Sequence, residues 1–167
     1  MNRMDQHQYF MALAILASTR STCVRRKVGC VAVRDKHVLA TGYNGTISDM
    51  IHCTEDTCYR KVNDIPSGEK LDQCYAVHAE QNILCQAAIH GTSLVGATVY
   101  ITTTPCITCL KLLAQIGIKY IYCYNSDYPQ SKIAKQICNQ KCITINTDYF
   151  KDHPLILDKE LLSQFWV

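Results

Sequence analysis

Two short stretches of this chain have to meet in space, and that requirement limits the fold more than any other feature. One is Cys74-Tyr-Ala-Val-His78-Ala-Glu80; the other is Pro105-Cys106-Ile-Thr-Cys109. Together they offer one imidazole, two thiols and one spare carboxylate. Three protein ligands around a zinc ion leave a fourth position open, the mark of a catalytic rather than a structural site. Glu80, two residues past the histidine, is suited to carry protons to and from a water held there.

Each stretch opens a helix. His78 to His90 places Ile83, Leu84, Ala87 and Ala88 on one face and stops at Gly91. Pro105 opens the second, Cys106 to Ile116, which stops at Gly117. Cys106 and Cys109, at i and i+3 on a first turn, turn both sulfurs the same way. A helix N-terminus also lowers a thiol's pKa and favours the metal-binding thiolate.

The rest of the chain supplies a scaffold. Asp5 to Ser21 reads as an amphipathic helix, with Tyr9, Leu13, Leu16 and Ala17 at helical spacing. Val28 to Val33 and His37 to Tyr43 read as a hairpin about the polar turn Arg34-Asp35-Lys36. Strands follow at Ala97 to Thr103, Lys119 to Tyr124 and Cys142 to Asn146, with a helix over Pro129 to Gln140. The short β-α-β connections make the last three strands parallel. The expected fold is therefore an α/β, three-layer α/β/α sandwich around a five-stranded mixed sheet. All 167 residues read as one domain. It carries an irregular, cysteine-rich insertion at about 48–76 and a tail from about 148, whose Leu155, Leu157, Leu161, Leu162, Phe165 and Trp166 could dock on this subunit or a neighbour.

Eleven cysteines are the compositional outlier. An odd count without an export signal argues against a disulfide framework and for metal binding in a reducing cytoplasm. No apolar run is long enough to cross a membrane. A net charge of +3 is too mild to argue for nucleic acid, though it suits a small anionic substrate.

Alone, a Cys-x-x-Cys is more often a redox pair or half of a structural zinc knuckle, and a His-x-Glu says almost nothing. Their conjunction at two helix starts, about one α-β unit apart, is the signature of zinc nucleobase deaminases. The chain resembles the deoxycytidylate (dCMP) deaminase family of the cytidine deaminase superfamily. The matching pieces are Arg26-Lys27-Val28-Gly29, Thr41-Gly42-Tyr43-Asn44-Gly45, His78-Ala79-Glu80-Gln81-Asn82 and Thr104-Pro105-Cys106-Ile107-Thr108-Cys109. The likeness covers roughly residues 5 to 146 and fades in the tail.

That resemblance implies zinc-dependent hydrolysis of dCMP to dUMP and ammonia, a step toward thymidylate. Water activated on the zinc of His78, Cys106 and Cys109 would attack cytosine C4, with Glu80 serving N3 and then the leaving amine. Asn44 is similar to the family's deoxyribose contact, and Lys111 and Tyr128 fall where the family touches substrate. Arg26 or Lys27 could hold the phosphate, since a dianion wants a fixed cation; solvated basic residues before a strand are the plain alternative. The resemblance further implies a homo-oligomer, a hexamer, activated by dCTP with Mg2+ and inhibited by dTTP. The loop Gly42, Tyr43, Asn44 and Gly45 is implicated in that regulation.

Cys23, Cys53, Cys58 and Cys74 would make a closed, structural zinc site that orders the insertion. His52 is a competing ligand, and buried free thiols are the bland alternative. Relatives in the family carry a second zinc near here. Cys30, Cys85, Cys123, Cys138 and Cys142 read as small apolar core residues. Rival readings remain: a deaminase of another nucleotide, of tRNA adenosine or of the riboflavin pathway, or a non-catalytic, zinc-stabilised nucleic-acid-binding module in which Glu80 has no role.

Overall fold

The sheet is built from the middle outward, its strands ordered His37–Tyr43, Gly29–Arg34, Thr98–Thr103, Tyr120–Asn125 and Thr144–Asn146. A computed structural model describes residues 3–126 and 131–155. In chain order its elements are α1 (Gln6–Ser18), β1 (Gly29–Arg34), β2 (His37–Tyr43), β3 (Gly45–Thr46), α2 (Tyr59–Val62) and β4 (Ala76–Val77). There follow α3 (Ala79–Ile89), β5 (Thr98–Thr103), α4 (Ile107–Gln115), β6 (Tyr120–Asn125), α5 (Lys132–Lys141), β7 (Thr144–Asn146) and α6 (Tyr149–Asp152). Strand β1 runs antiparallel to both β2 and β5, while β5, β6 and β7 are parallel, as the short crossovers require. The five-stranded mixed sheet is the one expected.

Side-chain alternation along β1 separates two cores. Val31 and Val33 face α1, where they pack with Phe10, Met11, Ala14 and Tyr100. Cys30 and Ala32 face α3 and α4, among Ile83, Ile101, Leu110 and Leu113. Two buried faces give the three-layer arrangement. Helix α1 lies close because Gly29 stands beneath it: a Cβ there would collide with the Ala14 carbonyl oxygen.

Local chemistry sets the element ends. Asp5 caps α1 through a reciprocal pair of bonds with Gln8, both 2.9 Å, so the helix starts one residue later than expected and stops at Ser18. The β1–β2 turn uses Asp35 (φ 51°) and Lys36 (φ 65°), both left-handed, which matches the strand twist. Gly91 (φ 65°) and Gly117 (φ 86°) close α3 and α4, with Thr92 N–H donating to Ala87 at 2.8 Å and Ile118 N–H to Leu113 at 3.0 Å. Helix α5 starts at Lys132, capped by Ser131, rather than at Pro129; residues 127–130 lie outside the described residues.

The insertion is less irregular than its sequence suggests. Strands β3 and β4 pair antiparallel, Gly45 with Val77 and Thr46 with Ala76, clamping its two ends together. Inside it lie α2 and a 3-10 turn at Leu71–Gln73. The start of the tail docks on its own subunit. Phe150 is buried in the α1-side core, and Tyr149 Oη donates to Asp5 at 3.0 Å. Leu155 packs against that core, whereas Leu157, Leu161, Leu162, Phe165 and Trp166 lie outside the described residues.

The cysteine expectation is corrected in part. Cys85 and Cys142 are exposed, because Cys85 sits on the outer side of α3 and Cys142 occupies the left-handed cap of α5 (φ 51°). Cys30 and Cys123 are buried as expected and Cys138 is half-buried. Gly42 and Gly45, neither of them left-handed, are glycines for lack of room.

Candidate active site

His78 is the N-cap of α3 and Cys106 the N-cap of α4, so both ligand-bearing stretches end as helix starts on one face of the sheet. Each helix is seated by buried apolar residues, Ile83 and Ala87 on α3, Leu110 and Leu113 on α4. Seating the helices brings the donors together. The His78 Nδ1 lies 3.5 Å from Cys106 Sγ and 3.4 Å from Cys109 Sγ. Ordinary zinc–nitrogen and zinc–sulfur bonds at tetrahedral angles span about 3.6 Å between such atoms. The three donors therefore fit a zinc ion with little adjustment.

The run from His78 to Asn82 divides the work of holding that corner. Gln81 Oε1 accepts the His78 backbone N–H at 2.8 Å and fixes the ligand's main chain. Ala79 is fully buried, close under Gly42, where no larger side chain fits. Asn82 Nδ2 donates to the Tyr43 carbonyl at 2.7 Å and ties α3 to the end of β2. Glu80 is only 4% exposed. The sequence motif includes Gln81 and Asn82 but gives neither a role, because their side chains act on backbone groups that no local pattern reveals.

Electrostatics prepares the cluster for a cation. The Cys106 thiol falls to about 4, first because Cys109 donates a hydrogen bond to it, then, against the opposing effect of burial, because His78 does so as well. The Cys109 thiol is driven far up by that same contact and by burial. Effectively the two sulfurs share one proton, which a metal would displace. The neighbouring thiol, rather than the helix N-terminus expected from sequence, is the main cause. Burial pushes the Glu80 carboxyl up to about 7, partly offset by a backbone hydrogen bond and the His78 charge. A bound dication would pull it back toward ionisation.

Beside His78 opens a cavity of about 200 Å³ that Asn44, Arg25, Arg26 and Arg60 help to line. Asn44 is buried and mostly committed to the scaffold. Its Oδ1 accepts from Ser21 Oγ and Val28 N, both 2.7 Å, and its Nδ2 donates to the Arg26 carbonyl at 2.8 Å. Lys27 is exposed and borders a neighbouring groove with His52 and Cys53. Lys111 is exposed on α4 and does not line the cavity. Tyr128 lies outside the described residues. Sequence alone does not single out Arg25 or Arg60, and Arg60 carries no local signal, since it sits in the insertion.

Cys23, Cys53, Cys58 and Cys74 converge on one region. Burial first, then the thiols of Cys58, Cys74 and Cys23, push the Cys53 thiol up. They are more loosely gathered than the first cluster. Among the described residues, only His78, Cys106 and Cys109 hold all their donor atoms within 4.8 Å of one another.

The model of the cytidine and deoxycytidylate deaminase zinc-binding region matches residues 4–125. ComE operon protein 2 of Bacillus subtilis (strain 168) is 39% identical over 146 residues, 87% of this chain and 72% of that protein. The deoxycytidylate deaminase of Schizosaccharomyces pombe is 45% identical over 122 residues, 72% of this chain. The chain belongs to the deoxycytidylate deaminase family. Only 37% of the S. pombe enzyme is covered, so this deaminase-family chain spans well under half that relative's length. The dCMP deaminase of cyanophage S-TIM5, solved in complex with dCMP and dUMP, shares 28% identity at a TM-score of 0.68, covering 88% of this chain and 99% of that one. The fold of this family member is thus the cytidine deaminase-like α/β fold. Among its described residues, no helix is long and apolar enough to cross a membrane.

Proposed function

We propose that the chain hydrolyses dCMP to dUMP and ammonia in the cytoplasm, feeding thymidylate synthesis. One observation carries this reading: a buried carboxyl, Glu80, belongs to the same helix start as an imidazole that stands 3.4–3.5 Å from two thiols. His78, Cys106 and Cys109 would hold a zinc ion, which would supply Lewis acidity toward a water near neutral pH. Glu80 removes one proton from the attacking water and delivers it to cytosine N3 as the water oxygen bonds to C4. It then takes the second proton from that oxygen and delivers it to the exocyclic nitrogen, so that the C4–N bond breaks with ammonia as the leaving group and the carbonyl forms. The balance is one water consumed and one ammonia released. The relatives' names, including a structure holding dCMP and dUMP, support the same substrate.

Around that chemistry, Asn44 receives the deoxyribose with its remaining amide hydrogen, and Arg26 faces the phosphate end. Lys111 completes the contacts once substrate binding or a partner subunit brings it in, and Tyr128 is a further substrate contact. The convergence of Cys23, Cys53, Cys58 and Cys74 supports a second, structural zinc. The assembly is a homo-oligomer, a hexamer, activated by dCTP with Mg2+ and inhibited by dTTP. The loop Gly42, Tyr43, Asn44 and Gly45 transmits that control, through Asn44's bonds to Val28 and Arg26.

A substrate panel tests the reading. Incubation with dCMP, dCTP, deoxycytidine and CMP, followed by absorbance and ammonia, should show dCMP consumed fastest. Turnover of none of them would overturn the proposal.

A further inference from the structure

The cavity beside His78 has a charge imbalance. Three guanidinium-bearing side chains, Arg25, Arg26 and Arg60, border it, and among the described residues no carboxylate does. Arg60 is the most enclosed, at 8% exposure. Its Nη2 donates to the Pro66 carbonyl at 2.8 Å, but its buried Nε has no hydrogen-bond partner. Arg25 Nη1 donates to the preceding carbonyl, that of Ile65, also at 2.8 Å. Consecutive carbonyls of the insertion thus hold two guanidinium groups over one space. Among the described residues, neither arginine pairs with a carboxylate.

Burying an uncompensated cation costs several kcal/mol. A purely structural role does not explain that expense, since one carbonyl bond uses one of arginine's five donors. The unspent donors of a planar fork match the oxygens of a phosphate. Arg60 and the His78 imidazole line the same cavity. Arg60 is anchored from the other side as well. Cys58, fully enclosed among the insertion's cysteines, is the N-cap of α2, two residues before it.

We propose that Arg60, with Arg25 beside it, binds the 5′-phosphate of the substrate and makes the site select nucleoside monophosphates over nucleosides. This rests on the deaminase function proposed above and adds the specificity-determining residue. The cysteine-rich insertion then serves to deliver a fixed cation to the far end of a nucleotide whose base lies at the His78 cluster.

Steady-state kinetics of the full chain on dCMP and on deoxycytidine decides the matter, using wild type, Arg60→Ala and Arg60→Lys. Loss of a charge-assisted contact predicts that Arg60→Ala raises KM for dCMP by roughly 10- to 100-fold. Its kcat/KM for deoxycytidine should stay within about twofold of wild type, with Arg60→Lys intermediate on dCMP because it keeps the charge without the fork. Inorganic phosphate should compete with dCMP in the wild type, and this effect should weaken in either variant. An unchanged KM for dCMP in Arg60→Ala, or equal losses on both substrates, would overturn the inference while leaving the deaminase intact. If Arg60→Ala does not fold, Arg60→Lys and the phosphate competition decide alone, and a lysine variant indistinguishable from wild type in both overturns it. Wild-type protein inactive on both substrates would instead overturn the function on which the inference rests.

Discussion

The carbonyl oxygen of Ala79 lies 2.7 Å from the point where a Cβ on Gly42 would stand, and the Ile83 amide lies 2.9 Å from it. Strand β2 therefore touches the first turn of the helix that carries His78 and Glu80. Gly42→Ala should push α3 off the sheet and destabilise the fold by about 1–3 kcal/mol. Urea unfolding would show the lower midpoint, and the purified variant should retain less zinc. An unchanged midpoint would mean that α3 is seated by its other contacts alone.

Glu80→Gln keeps the shape of the side chain and removes its ability to take a proton. The variant should fold, hold zinc at His78, Cys106 and Cys109, and bind dCMP. Its kcat should drop by about 10²- to 10⁴-fold, the usual range for a lost general acid–base. Ammonia release at saturating dCMP, with metal content measured on the same sample, checks both halves. Full activity would remove Glu80 from the mechanism.

Metal analysis of unchelated protein should give two zinc ions per chain. Cys106→Ser should abolish activity and lower the content to one. Cys53→Ser should also lower it to one, while leaving the donors of the first site in place. A content of one in the unmodified protein would sink the second site, whatever the convergence of its thiols.

His7 stands against Tyr100, Tyr122 and Tyr149, with Nδ1 2.9 Å from Tyr100 Oη. Burial lowers its pKa below the ordinary 6.5, opposed in part by Asp5. The folded state then binds fewer protons than the unfolded one in that interval. The contribution of His7 is complete above about pH 6.5 and is lost as pH falls through its lower folded value. Thermal midpoints measured from pH 7.5 to pH 5 should fall, and the slope should be shallower in His7→Gln.

Legibility from sequence depends on the distance over which each feature is determined. The candidate metal cluster is readable because His78, Cys106 and Cys109 sit at local spacings that put donors on helix starts. Gly91 and Gly117 are readable as helix ends because a left-handed residue is a local need. The insertion is not readable in the same way. Its ends are fixed by the pairing of Gly45 with Val77 and Thr46 with Ala76, which no window around either pair contains. The need for a glycine at position 42 is hidden in the same way, since packing against Ala79 is what excludes a side chain.

Residue type and short-range spacing suffice to nominate the candidate site: three donors of a metal-ligating type, one carboxyl beside them, and the parallel β-α-β units that carry them. The surroundings of that chemistry come from the folded arrangement instead. Packing set Cys106 low through Cys109, committed most of Asn44 to the scaffold, and brought Arg60 from the insertion to the cavity beside His78. Those outcomes depend on atoms far apart in the chain, and their meeting is fixed by close packing of the whole interior rather than by any local run of residues.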